Sequence, residues 1–182
     1  MRSIRIPADR VGTLIGKNGE TKKTLQSISG IKMDIDTEEG EVIIHDDVEL
    51  EDPLMALKLM EVVKATGRGF NPDTAMRLFD DDEYFELIDI KEAIGDRSSQ
   101  VPRVRGRLIG KNGKTRKLIE ELTGCDMVIY GNTVGLIGNS ISLPVAKHAV
   151  ELLINGSEHA TVYHYLESQR PMLRITEMGF DL

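Results

Sequence analysis

Tryptophan is absent from this 182-residue chain, cysteine occurs once, and aromatic residues amount to only 4%. The single cysteine, Cys125, excludes an internal disulfide and supplies no zinc framework. So few aromatic rings leave little material for a platform on which nucleic-acid bases stack. No apolar run approaches the ~20 residues of a membrane span. Met1-Arg2-Ser3-Ile4-Arg5 leads into charged sequence rather than a signal-peptide core, so a cytoplasmic protein without membrane attachment is expected. Positive charge is also in deficit. The net charge of −7 argues against a protein that coats nucleic acid over its whole surface, but leaves room for a local basic site. What is present, 40% apolar and 29% charged residues, describes an ordinary globular composition, sufficient for one large domain or two small ones.

The chain repeats itself. Shifted by 94 positions, residues 12–30 (GTLIGKNGETKKTLQSISG) align with 106–124 (GRLIGKNGKTRKLIEELTG), and 10 of the 19 pairs are identical. A period this long marks a duplicated domain rather than a solenoid unit. Glycine and proline in Gly67-Arg68-Gly69-Phe70-Asn71-Pro72 interrupt helical patterning, which sets the expected organisation as a first module over 1–69, a linker over 70–83 and a second module with a C-terminal extension over 84–182.

Each module reads βααββα. In the first, Ser3–Ile6 alternates as a strand, Val11–Ile15 is a short helix, and a second helix runs from beyond Gly19 to a C-cap at Gly30. Ile31, Met33 and Ile35 alternate with polar residues, Val42–Ile44 returns as the hairpin partner, and Ala56, Leu59, Met60 and Val63 stripe a longer helix. In the second, the strands are 85–90, 127–130 and 134–137, and Val145, Ala146, Ala149, Val150 and Leu153 stripe the final helix. About ten extra residues around Gly95-Asp96-Arg97-Ser98-Ser99 predict a surface loop. Thr74–Phe79 is expected as a short linker helix capped by Asp73.

The repeated glycine elbow has a definite use. A G-x-x-G between two helices lets backbone approach a ligand, and the following helix N-terminus favours phosphate. A Walker loop is excluded by spacing: three residues rather than four separate Gly12 from Gly16-Lys17, and Asn18 stands where Ser or Thr would bind Mg²⁺. The Rossmann spacing is missing as well. What remains is the KH module, whose G-x-x-G clamps about four single-stranded nucleotides over an aliphatic groove. Gly110, Lys111, Asn112 and Gly113 form the second such loop and Gly16, Lys17, Asn18 and Gly19 the first. Leu108, Ile109 and Ile129, with Val128 and Tyr130 beside them, are placed in the second groove wall. From Arg103 to Lys117 the cations Arg103, Arg105, Arg107, Lys111, Lys114, Arg116 and Lys117 meet no acid, whereas Asp9–Lys23 sets four cations against Asp9 and Glu20. The second module is therefore expected to be the stronger RNA site. A solvated helix face is the bland alternative for this run, and consecutive carboxylates at Asp80–Glu83 fit a linker better than a nuclease metal site. No catalytic residue, metal or cofactor is expected.

The stretches GRGFNPDTAMRLFDDDEYFELIDIKE, GDRSS, PRVRGRLIGKNGKTRKLIEELTGCDMVIYGNTVGLIGN and INGSEHATVYHYLE resemble the two-KH-domain small-subunit ribosome assembly proteins of the Pno/Dim type, and more distantly their Krr-type relatives. The resemblance covers essentially the whole chain. It implies an α+β fold of two tandem type I KH domains, each a three-stranded antiparallel sheet packed against three helices. It also implies non-enzymatic binding to the 3′ end region of small-subunit rRNA, with translation initiation factor 2 alpha subunit and an rRNA-trimming endonuclease as partners. Eukaryotic members have lost the first G-x-x-G, so its presence here, with a short N-terminus, points to an archaeal member. A protein-docking adapter whose first module recruits a factor through its acidic surface, 34–52, is the alternative function.

Overall fold

The computed structural model describes residues 1–179 and divides into two compact units, Met1–Asp81 and Asp82–Leu182. The first contains β1 (Arg2–Arg5), α1 (Ala8–Ile15), α2 (Glu20–Ser29), β2 (Lys32–Ile35), β3 (Glu41–His45) and α3 (Met55–Gly67), which is the expected βααββα order. The central strand β3 pairs antiparallel with both neighbours, Arg2 opposite Ile44 on one side and Lys32 opposite His45 on the other. Period-two alternation sends Val42 and Ile44 into the core, where they join Val11 and Leu14 of α1, Leu25 of α2, Met33 of β2 and Leu59, Val62 and Val63 of α3. Each such burial stabilises by about 1.5–3 kcal/mol relative to exposure.

The stretch 70–83, expected as a linker, is largely part of this unit. Short helix α4 (Pro72–Ala75) and a 3₁₀ turn at Met76–Phe79 pack on α3, burying Phe70, Ala75 and Leu78. The cap of α4 is Asn71, whose side chain accepts the Asp73 backbone N–H at 2.9 Å, rather than Asp73; Pro72 at the first helical position moves the start forward.

The second unit contains β4 (Glu83–Asp89), α5 (Ile90–Ile94), α6 (Val101–Ile109), α7 (Lys114–Thr123), β5 (Asp126–Tyr130), β6 (Thr133–Asn139), α8 (Ser142–Ile154) and α9 (His159–Glu177). Its sheet order is β4-β6-β5, again antiparallel, with the β5–β6 hairpin closed by Gly131-Asn132. The extra segment is helical rather than an open loop. The Asp89 side chain accepts the Glu92 N–H at 3.0 Å and starts α5, and 3₁₀ turns at Gly95–Gln100 lead into α6. Ile90, Ile94, Val101 and Val104 anchor the insertion in the core. Beyond the βααββα frame, α9 returns across α7 and α8, burying Val162, Leu166 and Leu173.

Candidate nucleic-acid interface

The two glycine loops are built by the same contacts. Helix α6 ends when Gly110, at φ 74° and ψ 172°, turns the chain outward while its N–H still donates to Gly106 O at 2.9 Å. Asn112 follows in the left-handed region at φ 55°, and Gly113, also left-handed, donates its N–H to Gly110 O at 3.1 Å before α7 begins. Gly110 is required by space as well as by dihedral: a Cβ there would lie 2.2 Å from Thr115 Oγ1 and 2.7 Å from Thr115 N. In the first unit Gly16, Asn18 and Gly19 adopt the same conformation, and a Cβ on Gly16 would stand 2.2 Å from Thr21 Oγ1. The recurrence of Thr21 at Thr115 carries this information in the sequence. Lys111 and Asn112 are exposed at the tip, as are Lys17 and Asn18.

Around the second loop, the seven cations of 103–117 divide into two groups. Arg107 is held inside the unit: its guanidinium donates to Leu153 O at 3.0 Å and also to Ser157 O, closing the C-terminal end of α8. Arg116 pairs with Glu120 at 2.5 Å one turn on. Arg103, Arg105, Lys111, Lys114 and Lys117 have no hydrogen-bond or ion-pair partner among the described residues, and the Nε of Arg105 is buried without one. Arg107 is thus an anchor of the site rather than a free cation, because the last carbonyls of α8 lie open for its fork. In the first unit Arg10 does similar work, donating to Thr66 O at 3.0 Å and Phe70 O at 2.9 Å.

Leu108, expected in the groove wall, is wholly buried, since Val101, Val104 and Leu108 form the core-facing stripe of α6. Ile109, one residue on, is half-exposed beside the loop. Ile129 lies half-buried on the edge strand β5, packed against the margin of the core. The open groove next to the loop, about 490 Å³, is lined by Arg103, Gly106, Arg107, Gly110, Lys111, Lys114, Thr115, His159 and Tyr163. Two of these come from α9, which sequence reasoning did not connect with the site. The Tyr163 hydroxyl lies 3.0 Å from Thr115 Oγ1, and His159 Nε2 lies 2.9 Å from Arg107 O. The motif signal stops at Gly113, and nothing in the α9 sequence specifies which face returns to the loop.

The first loop sits in a different field. Glu20 occupies the start of α2, where the second unit has Lys114. Elsewhere in this unit carboxylates pair with cations: Arg2 with Asp46 at 2.5 Å and Arg5 with Glu39 at 2.9 Å at the sheet, and Lys58 of α3 with Asp52 and Asp81. Hydrogen bonds from the Met1 amino group and Arg2 hold the Asp46 carboxyl down to about 2. His45 beside Asp34, 2.7 Å away, lowers that carboxyl as well. Among the described residues, no three His, Cys, Asp or Glu side chains are grouped to hold a metal ion, and no helix is long and apolar enough to cross a membrane.

Comparison with known proteins gives this geometry a lineage. Residues 84–171 match the family model described as eukaryotic type KH-domain (KH-domain type I), and residues 1–50 match the KH domain model. The KH domain-containing protein MJ0443 of Methanocaldococcus jannaschii is 43% identical over 171 residues, 94% of this chain and 74% of that protein. The pre-rRNA-processing protein pno1 of Schizosaccharomyces pombe is 28% identical, over 92% of this chain and 70% of its own length. Among solved structures, the a/eIF2alpha–aDim2p–rRNA complex from Pyrococcus horikoshii superposes with a TM-score of 0.88 at 45% identity, covering 94% of both chains. With two KH modules in tandem and this likeness along almost its whole length, the chain belongs to the Pno/Dim-type family of KH ribosome assembly proteins.

Proposed function

We propose that this chain is a small-subunit assembly factor that binds single-stranded RNA in the 3′ end region of small-subunit rRNA, chiefly through Gly110–Gly113, and performs no catalysis of its own. The observation that carries this reading is the second loop: an open backbone tip at the N-terminus of α7, on a stretch with five cations that no carboxylate pairs with among the described residues. Phosphates lie over Lys111 and Asn112, with Arg105, Lys114 and Lys117 supplying field, and Ile109 and Ile129 offering the aliphatic edge to bases. Arg107 and Leu108 serve the site from behind, by fixing α6. Gly16–Gly19 forms a weaker second contact. The Pyrococcus complex, which contains rRNA and a/eIF2alpha, supports both the ligand class and translation initiation factor 2 alpha subunit as a partner; an rRNA-trimming endonuclease is the further partner that pre-rRNA processing requires.

The decisive experiment is a salt-controlled titration with single-stranded RNA. Lys111→Asp with Asn112→Asp is expected to weaken binding about a hundredfold or more, and the matching change at Lys17 and Asn18 by less than about tenfold, since each removes a phosphate contact and adds repulsion. Equal losses would overturn the ranking, and no loss in either would overturn the reading.

A specific feature of the first unit favours a second role as a docking adapter. A groove of about 330 Å³ runs between the end of α2 and the segment before α3, lined by Ile28, which is 46% exposed, Leu50 and Met55 beside Glu49, Glu51 and Asp52. Apolar surface rimmed by acid suits a basic, aliphatic protein segment. Glu49→Lys with Glu51→Lys is expected to reduce recovery of purified initiation factor 2 alpha subunit without changing RNA affinity; unchanged recovery removes this role.

A further inference from the structure

The insertion between β4 and α6 has no counterpart in the first unit, and it builds a cavity. Ile94 at the end of α5, Arg97 and Gln100 in the 3₁₀ turns, Arg103 and Arg107 of α6, and Ile154 at the end of α8 line a space of about 180 Å³. Ile94 and Ile154 are buried and form an apolar floor. Three guanidinium groups therefore surround one small volume whose lining includes no carboxylate. Arg107 is fixed there by the Leu153 and Ser157 carbonyls, while Arg97 and Arg103 have no hydrogen-bond or ion-pair partner among the described residues. Asp96, next to Arg97, and Glu158, two residues beyond Gly156, are both exposed, and neither lines the cavity.

Like charges gathered without a counter-ion repel, and a fork of guanidinium N–H groups matches the paired oxygens of a phosphate or a carboxylate; beside a loop proposed to hold RNA, the phosphate is the fitting anion. A cavity of about 180 Å³ has room for a phosphate group. Arg103 and Arg107 line both this cavity and the groove at Gly110 and Lys111, so the two are continuous along α6. We infer that the cavity is a phosphate subsite that receives a phosphodiester of the same RNA strand, beyond the nucleotides clamped by the loop, and that Arg97 is a further RNA-binding residue. This rests on the RNA-binding role proposed above and extends the footprint of the second module along the insertion.

The test is a salt-dependent titration of the full chain against a four-nucleotide and a twelve-nucleotide single-stranded RNA, both with hydroxyl ends, comparing the natural protein with Arg97→Gln. Arg97 is exposed, and an unchanged melting temperature verifies the fold of the variant. One lost phosphate contact should lower the salt slope for the longer RNA by about 0.7 and weaken its binding several-fold, leaving the four-nucleotide RNA unaffected. Equal losses on both lengths, or no loss on either, overturn the inference and leave the RNA-binding role standing. Tighter binding of the short RNA when it carries a terminal phosphate, competed by inorganic phosphate and lost in Arg97→Gln, overturns the phosphodiester assignment in favour of a phosphate monoester. Failure of the natural protein to bind either RNA overturns the RNA-binding role itself.

Discussion

The two glycine loops are nearly superimposable in dihedral space and differ in the charge around them. Gly16 stands at φ 76°, ψ 174° and Gly110 at 74°, 172°; Asn18 at 53°, 24° and Asn112 at 55°, 28°. The following residue is Glu20 in one and Lys114 in the other. An acid in the first turn of a helix is favourable and a base is unfavourable, by about 0.3–1 kcal/mol each. The first unit therefore spends this position on its own helix, whereas the second leaves a field that the RNA phosphate proposed for it would satisfy. Near-identical backbone with different charge beside it separates the shape of the proposed clamp from the charge proposed to make it bind.

The comparison can be broken at its backbone. Gly16→Ala and Gly110→Ala should each cost about 2–3 kcal/mol of local stability, because each adds a Cβ against the facing threonine and forces an L residue to keep a positive φ. Hydrogen exchange at the start of α2 and α7 would register the two losses as equal, while only the second should carry a matching loss of RNA affinity. It can be sharpened at its charges. Lys114→Glu should cost about tenfold in affinity while stabilising α7 slightly, and Glu20→Lys should do the reverse for the first loop; movement of affinity and melting temperature in the same direction would contradict the division of roles. The smallest effect concerns acid. Asp34, Asp36, Asp46 and Asp52, whose carboxyls are all lowered by hydrogen bonds, belong to the first unit. A carboxyl depressed in the folded state stabilises fully above its unfolded value, 3.8 here, and that contribution is lost as pH falls toward about 2 in the case of Asp46. Acid titration followed by residue-resolved chemical shifts should show the first unit loosening before the second, and Asp46→Asn should narrow the gap.

The duplicated elbow made most of this architecture legible. Period-two and period-3.6 patterns around Met33, Val42, Leu59, Met127 and Val150 placed strands and helices because each element buries one face. Three features escaped for physical reasons. The insertion at 90–100 looked like a loop because Gly95 and paired serines signal turns, yet Ile90 and Ile94 at i and i+4 are a one-turn helical stripe anchored in the core. Leu108 and Ile109 are adjacent aliphatics, and only the helix register decides that the first is core and the second is rim. Arg107 resembles its cationic neighbours in sequence; its commitment to Leu153 and Ser157 depends on where α8 ends, 46 residues away.

The turn that shapes the clamp also bears on how the protein ages. Asn followed by Gly is the dipeptide most prone to cyclise to a succinimide and open to aspartate, and it occurs at the tip of both loops as Asn18-Gly19 and Asn112-Gly113. Such a change would put a carboxylate where the RNA phosphate is proposed to lie. The nitrogen that must attack is the Gly113 amide, and its N–H is already engaged by Gly110 O in a backbone held at positive φ on either side. The geometry that holds the backbone open at the proposed RNA clamp thus also shields the bond on which its chemical lifetime depends.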